Sequence, residues 1–333
     1  MKKKIENFIL EGLNNVYTAA SILIGQNDEI IMEEYYGTKD GKSPINDQTL
    51  FDIASLTKIV STTTAIMKLY DEKKIHLDDK IKKYLDVKGE KGEIKIKQLL
   101  LHESGMQPYS ELWQKYKNKE LMDKIIQIQP QNKPWTQYDY SCLNFITLMK
   151  IVENVSKTPY QDYIKNLFNQ IGMFQTTYNP QNTENIVQTS IRDGIRLQGK
   201  SDDELCYYLG GVSGNAGIYS NIKDLRKYVL NILNPKIISK KTIDKFTKTT
   251  IHKGEKYAHL GFMAPPQAGC TNALDEKSFG HNGFTGTSIW IRPDGKFSIF
   301  LTNSVYYDRR AYKDKLQIIR NNINDAIFKE GII

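Results

Sequence analysis

The order of apolar and polar positions divides the chain into three stretches. Near the amino end, residues 20–24 (Ala20-Ser21-Ile22-Leu23-Ile24) and residues 29–36 read as two strands. Between them, Gly25-Gln26-Asn27-Asp28 has turn chemistry. Residues 37–47 form a polar loop with Gly and Pro. From about residue 55 to residue 260 helical spacing takes over, with apolar Ile59, Ile66 and Leu69, and later Ile146, Met149, Ile151 and Val152. Residues 287–291 then alternate, Arg292-Pro293-Asp294-Gly295-Lys296 is a hairpin turn, and residues 297–302 follow as a strand. Residues 313–328 place Leu316, Ile319, Ile323 and Ile327 on one face of a last helix. The first twelve residues read as an amphipathic helix.

Strands separated by a long helical block can still pair into one sheet. The economical expectation is a mixed α/β body made from both ends (residues 19–60 and 255–333), with a mostly helical part (61–254) inserted. There is no internal repeat and no low-complexity segment. A chain of 333 residues suffices for one large domain or two medium ones.

Composition narrows the class. With 40% hydrophobic and 25% charged residues the chain is an ordinary globular one, neither disordered nor collagen-like. No apolar run approaches the roughly 20 residues of a membrane-spanning helix. Lys+Arg number 46 against 38 Asp+Glu, a net charge of +8. The basic residues are scattered, with short clusters at Lys2 to Lys4, Lys73-Lys74, Lys82-Lys83 and Lys240-Lys241. No nucleic-acid motif accompanies them, so they read as a lysine-rich solvated surface, and no nucleic-acid partner is expected.

Three cysteines, Cys142, Cys206 and Cys270, form no C-x-x-C pair. The five histidines lack ligand spacing, so neither a disulfide scaffold nor a metal site is expected. The N-terminus begins like a signal peptide, but Glu6, Asn7 and Glu11 break its apolar run and no cleavage site follows. A cytoplasmic location is the expectation.

Three segments have the residues for chemistry. In Phe51-Asp52-Ile53-Ala54-Ser55-Leu56-Thr57-Lys58, Ser55 and Lys58 form an S-x-x-K pair that shares one helix face. A lysine beside a serine hydroxyl takes its proton if burial and neighbours push its pKa down. At a helix start, Ser55 would also be near free backbone N–H groups that stabilise an oxyanion. A second pair, Ser220 and Lys223, is read as an ordinary helix N-cap with a surface lysine. In Tyr138-Asp139-Tyr140-Ser141-Cys142, Tyr140 is either a packing residue with a satisfied hydroxyl or a general base for Ser55, as phenolate or through a network with Lys58. In Phe279-Gly280-His281-Asn282-Gly283-Phe284, a histidine at the start of a strand is followed by glycine, which permits close backbone approach and pairing with an extended substrate. The backbone N–H of Phe284 would be a second oxyanion donor.

Together these segments resemble the family of class C serine β-lactamases, DD-peptidases and related esterases, which carry S-x-x-K, Y-x-N and K-T-G or H-x-G in this order. The likeness extends to Gln98-Leu99-Leu100-Leu101-His102-Glu103-Ser104-Gly105, to the stretch after Tyr140, and to Leu209-Gly210-Gly211-Val212-Ser213-Gly214-Asn215-Ala216-Gly217. It covers about residues 21–305. The resemblance implies an α+β fold, a mainly antiparallel sheet flanked by helices with an inserted all-helical subdomain. It implies Ser55 as acyl-forming nucleophile, with Lys58 and Tyr140 sharing the proton transfers. The N–H groups of Ser55 and Phe284 would form the oxyanion hole. His281 would stand where many relatives have lysine. Cys142, Asn282 and Gly283 would border the substrate. No cofactor is implied, and the partner would be a small-molecule or short-peptide substrate.

Two positions depart from the family pattern. Cys142 stands where Asn or Asp is usual, and a thiol is a poor donor and acceptor. Asn215 replaces the histidine of G-H-A-G. A histidine near its reference pKa of about 6.5 is mostly neutral at pH 7, so His281 would not supply the permanent cation that a penicillin or D-Ala-D-Ala carboxylate pairs with. His102 reads as structural. The expected activity is hydrolysis of an ester, or of an amide of a small or D-amino-acid-type acyl group, through an acyl-enzyme. The alternatives are a catalytically weakened member that binds a peptide or partner in the same cleft, and a peptidoglycan carboxypeptidase outside the cell. A cysteine nucleophile at 142 has no histidine beside it in sequence. Oligomeric state is not legible.

Overall fold

The computed structural model describes every residue except 14, 249–250, 254–255, 266–272, 304–308 and 330–333. Cys270 therefore lies outside the described residues. In chain order, the elements that build and position the site are helix α1 (Lys2–Gly12), strands β1 (Ala19–Gln26) and β2 (Glu29–Gly37), and helices α2 (Thr64–Asp71), α3 (Cys142–Ser156) and α4 (Ile222–Leu233). Strands β3 (Phe279–Asn282), β4 (Ser288–Ile291) and β5 (Lys296–Thr302) and helix α5 (Arg309–Phe328) follow.

The two chain ends meet in one antiparallel sheet of order β3-β4-β5-β1-β2. Ala20 lies opposite Thr302 and Gly25 opposite Phe297, so β1 is inserted between its sequence neighbour and a strand some 270 residues later. Strand β1 is apolar without alternation because both faces of the sheet are covered. Ala19 and Leu23 enter one core with Phe297, Ile299 and Leu301 of β5. Ala20, Ile22 and Ile24 enter a second core with Ile5 and Ile9 of α1 and Leu316, Ile319, Ile323 and Ile327 of α5. The first core continues into the helical part, where Leu225, Tyr228, Val229 and Ile232 of α4 and Leu143, Phe145 and Ile146 of α3 pack. The fold is α+β, as expected.

The inserted part is not all-helical. Ile218–Ser220 pairs with Phe51–Asp52 on one side and Thr177–Tyr178 on the other, and Ile191–Arg192 pairs with Ile195–Arg196 as a hairpin. Strands of two or three residues are too short to display a period of two, so the sequence pattern could not announce them. Ser220 is the last residue of its strand, and the helix after it is capped by Asn221, whose Oδ1 accepts the Asp224 N–H at 2.9 Å.

The nucleophile segment also departs from a plain α-helix. Ala54–Leu56 is a 3₁₀ turn, Lys58–Thr63 a π-helix, and only then does α2 begin. Hydroxyls buried in this stretch bond backward to the main chain, Ser61 Oγ to the Thr57 carbonyl at 2.7 Å and Thr64 Oγ1 to the Ile59 carbonyl at 3.0 Å. That competition with the i→i−4 ladder is a known cause of local distortion.

Candidate active site

Ser55 stands in a turn held by three hydrogen bonds from two neighbouring segments. The Ile53 N–H donates to the Ile218 carbonyl at 3.0 Å. Thr285 Oγ1 donates to the Asp52 carbonyl at 2.9 Å and Thr287 Oγ1 to the Ile53 carbonyl at 3.1 Å, which ties the turn after β3 to the nucleophile segment. Ala54, immediately before Ser55, has φ +46°, the left-handed region that a residue with a Cβ enters at a cost.

Lys58 is fully buried, and its Nζ points back to the Ser55 Oγ at 2.9 Å. The same nitrogen donates to the Asn215 carbonyl at 3.0 Å and reaches the Cys142 Sγ at 3.7 Å. An ammonium has three N–H donors, and here Ser55 Oγ, the Asn215 carbonyl, the Cys142 thiol and the Tyr140 oxygen share them. Burial works against the Lys58 charge, but Cys142, Tyr140 and Asp203 outweigh it and leave the pKa above the usual lysine value. The condition for Lys58 to take the serine proton as a neutral amine, a lowered pKa, is therefore not met: the groups around Nζ favour the ammonium.

Tyr140 comes just before α3. Its ring lies 5.0 Å from Lys58 Nζ, centroid to nitrogen, and 4.5 Å from the His102 ring. Burial raises the Tyr140 pKa, while Lys58 and Ser55, both within reach of the phenol oxygen, favour its ionised form. His102 holds this segment in place. Its Nδ1 accepts the Ser141 N–H at 2.9 Å, so the ring proton is on Nε2. Burial, then the Lys58 charge, keep its pKa well below the ordinary value, the state in which Nδ1 can accept. Cys142 begins α3 with its N–H on the Pro108 carbonyl at 2.9 Å. Burial raises its thiol pKa above the usual value.

Strand β3 brings His281 to the same place, with its ring 5.9 Å from that of Tyr140. Its Nδ1 lies 2.7 Å from the Asn282 carbonyl. A carbonyl only accepts, so Nδ1 carries the proton and Nε2 presents a lone pair. Burial and the Lys58 charge pull the His281 pKa down to about 3, so the ring is neutral at physiological pH. Asn282 points its side chain to the opposite face, where Oδ1 accepts the Trp290 Nε1–H at 3.2 Å. The expectation that it borders the substrate then rests on its backbone. Gly283 leaves no room for a Cβ, which would sit 2.0 Å from Thr287 Oγ1 and 2.8 Å from the Ile53 carbonyl. Phe284 follows in the turn and is 54% exposed.

Two contributors escaped the sequence reading. Asn215 acts on Lys58 through its main-chain carbonyl, which no residue type announces. Asp203, the first residue before the short helix Glu204–Tyr208, faces Lys58 and Cys142, and burial raises its own pKa. Among the described residues no group of three or more His, Cys, Asp and Glu could hold a metal ion, and no helix is long and apolar enough to cross a membrane.

The antiparallel sheet, the covering helices and the serine–lysine turn at their border define the β-lactamase and transpeptidase class of α+β proteins. The Beta-lactamase family profile matches residues 9–321, and the chain belongs to that family. It is similar to a protein of Escherichia coli (strain K12) named "Putative D-alanyl-D-alanine carboxypeptidase", with 26% identity over 360 aligned positions, 90% of this chain and 81% of the relative. Solved structures share the fold, among them the following two. The octameric penicillin-binding protein homologue from Pyrococcus abyssi has a TM-score of 0.76 at 23% identity, over 99% of this chain and 80% of its own. The beta-lactamase/D-alanine carboxypeptidase from Pseudomonas syringae has a TM-score of 0.78 at 17% identity, over 97% of this chain and 98% of its own.

Proposed function

We propose that the protein is a serine hydrolase working through an acyl-enzyme on Ser55. The observation that carries this reading is the 2.9 Å contact between Lys58 Nζ and Ser55 Oγ, made by a lysine with no solvent access. In the reactive form Tyr140 is the phenolate, stabilised by the Lys58 ammonium; as Oγ attacks, the serine proton passes to the Tyr140 oxygen, which becomes the phenol. Lys58 and Tyr140 act as one coupled pair. Oγ attacks the substrate carbonyl, and the N–H groups of Ser55 and Phe284 bind the oxyanion. The pair then returns the proton to the leaving group, and water releases the acyl group by the reverse path.

The substrate is an ester, or an amide of a small or D-amino-acid-type acyl group. The names of the E. coli relative and of the Pseudomonas structure support the peptide side of that range. The neutral His281, with a lone pair on Nε2, supports the ester side, because it accepts from O–H or N–H groups and offers nothing to a carboxylate. A cytoplasmic location goes with this reading, and the free thiols of Cys142 and Cys206 support it.

Cys142 motivates a second reading, a catalytically weakened member that holds a peptide or partner in the cleft. Fluorophosphonate labelling with mass mapping separates the two. An adduct on Ser55 that disappears in Ser55→Ala is the expected result. Folded protein without adduct, and ester hydrolysis that Ser55→Ala leaves untouched, would remove the acyl-enzyme reading.

A further inference from the structure

We infer that Asp52 is a positioning residue for Ser55: its ionised carboxylate holds the nucleophile turn and the Asp203 segment in register, and its protonation slows acylation. This inference rests on the acyl-enzyme reading of Ser55.

The geometry is unusual in one respect. Asp52 is buried, and each of its two carboxylate oxygens accepts a backbone N–H. Oδ1 takes that of Ala54 at 2.8 Å, and Oδ2 that of Asp202 at 2.8 Å. The first bond secures the one residue of the turn with a strained backbone, directly before the nucleophile. The second fixes the residue next to Asp203, whose charge faces Lys58 and Cys142. One side chain thus joins the nucleophile to part of the electrostatic field around its lysine. A carboxylate serves two N–H donors equally well. A protonated acid does not, because its O–H must displace one of them.

The surroundings place that protonation in a range where it matters. The groups facing Asp52 are Asp202 and Asp203 from the neighbouring segment, Cys206 from the helix after it, and Tyr219, its cross-strand partner; the cation of this neighbourhood is Arg192, whose Nη2 donates to the Asp202 carbonyl at 2.8 Å and pairs with Glu204. No cation makes a hydrogen bond or ion pair with the Asp52 carboxylate itself, whose two bonds are to backbone N–H groups. Burial, then the Asp202 charge, raise the Asp52 pKa to about 7 against the two N–H bonds that lower it.

The consequences for activity and stability run in opposite directions. A carboxyl whose folded pKa lies above its unfolded value of about 3.9 favours folding when protonated. The Asp52 contribution to stability therefore falls as pH rises from about 4 to about 7. Activity rises over the same approach to neutrality. A carboxyl that served only to hold the fold would show the same fall in stability with no acid limb in activity.

The test measures the rate of Ser55 labelling by a fluorophosphonate across pH, with thermal unfolding alongside. In the wild type the logarithm of the rate should climb with a slope approaching two below neutrality and one above it, one proton from the Lys58–Tyr140 pair and one from Asp52. In Asp52→Asn the slope should be near one throughout, and the rate at alkaline pH about tenfold lower, from loss of the held geometry. The wild type should also lose stability relative to this variant as pH rises from about 4 to about 7. Asp202→Asn, which leaves Asp52 in place and removes the repelling charge, should move the acid limb about half a pH unit or more downward. It decides the question if Asp52→Asn does not fold. An acid limb unchanged in either variant, or wild-type stability that does not fall relative to Asp52→Asn as pH rises from about 4 to about 7, would overturn the inference. Folded wild-type protein that takes no label on Ser55 at any pH would instead overturn the acyl-enzyme reading beneath it.

Discussion

The Cys142 Sγ lies 3.7 Å from Lys58 Nζ, filling with a thiol one acceptor position of a buried ammonium. Sulfur is a weak acceptor, and a thiol has little to offer a substrate amide or carbonyl. Cys142→Asn would put an oxygen acceptor toward Lys58 and an N–H pair toward the cleft. Ester hydrolysis should increase by about tenfold to 10²-fold, the scale of one well-placed donor. A p-nitrophenyl ester panel measures it. An unchanged or lower rate would mean that the thiol has a role of its own.

Lys58 separates catalysis from stability. Lys58→Met removes the proton partner and should slow labelling of Ser55 by about 10²- to 10⁴-fold. It also removes a buried charge and leaves the Asn215 carbonyl without its donor. Those effects oppose one another, so thermal unfolding should shift by no more than about 1–2 kcal/mol. A large loss of stability together with a modest loss of rate would contradict the assignment.

His281 has a pH signature in stability. Its pKa falls from 6.5 to about 3 on folding, so on acidification the unfolded chain takes up the proton first. The contribution of the neutral ring is present above about pH 6.5 and is lost as pH falls toward 3. Unfolding midpoints of the wild type should drop over that window more steeply than those of His281→Gln. Equal slopes would show that the ring is protonated in the folded protein.

The same position should set charge preference. His281→Lys places a cation beside Tyr140, where the ring now offers a lone pair. KM for a carboxylate-bearing D-alanyl amide should fall about tenfold relative to a neutral ester, the size of one screened charge interaction. Equal effects on both substrates would place the side chain outside the substrate's reach.

Gly283 tests the coupling of the two halves of the site. A methyl group there meets Thr287 Oγ1 and the Ile53 carbonyl. Gly283→Ala should destabilise the fold by about 1–3 kcal/mol and reduce ester hydrolysis by pushing the nucleophile turn away from the Phe284 turn. Circular dichroism melting and ester kinetics on the same preparation read both effects.

The sequence alone determined the local and the periodic. The terminal strands, the Arg292 to Lys296 turn and the last helix were legible because hydrophobic period and turn chemistry act over a few residues. The spacing of Ser55 and Lys58 was legible for the same reason. The middle of the chain misled, because strands of two or three residues have no period to show and buried hydroxyls from Ser61 to Thr64 bend a helix that spacing draws straight. Only the tertiary structure decided which groups surround Lys58. The Asn215 carbonyl, Asp203, Cys142 and Tyr140 come from segments 82 to 157 residues away, and burial with those neighbours sets the charge. The same is true of Asp52, which in sequence is an ordinary carboxylate near a serine. Its bond to Ala54 is local, but its burial, its bond to the Asp202 N–H and the nearby Asp202 charge come from a segment 150 residues away, and a carboxyl's proton affinity is a property of its surroundings and not of its place in the chain.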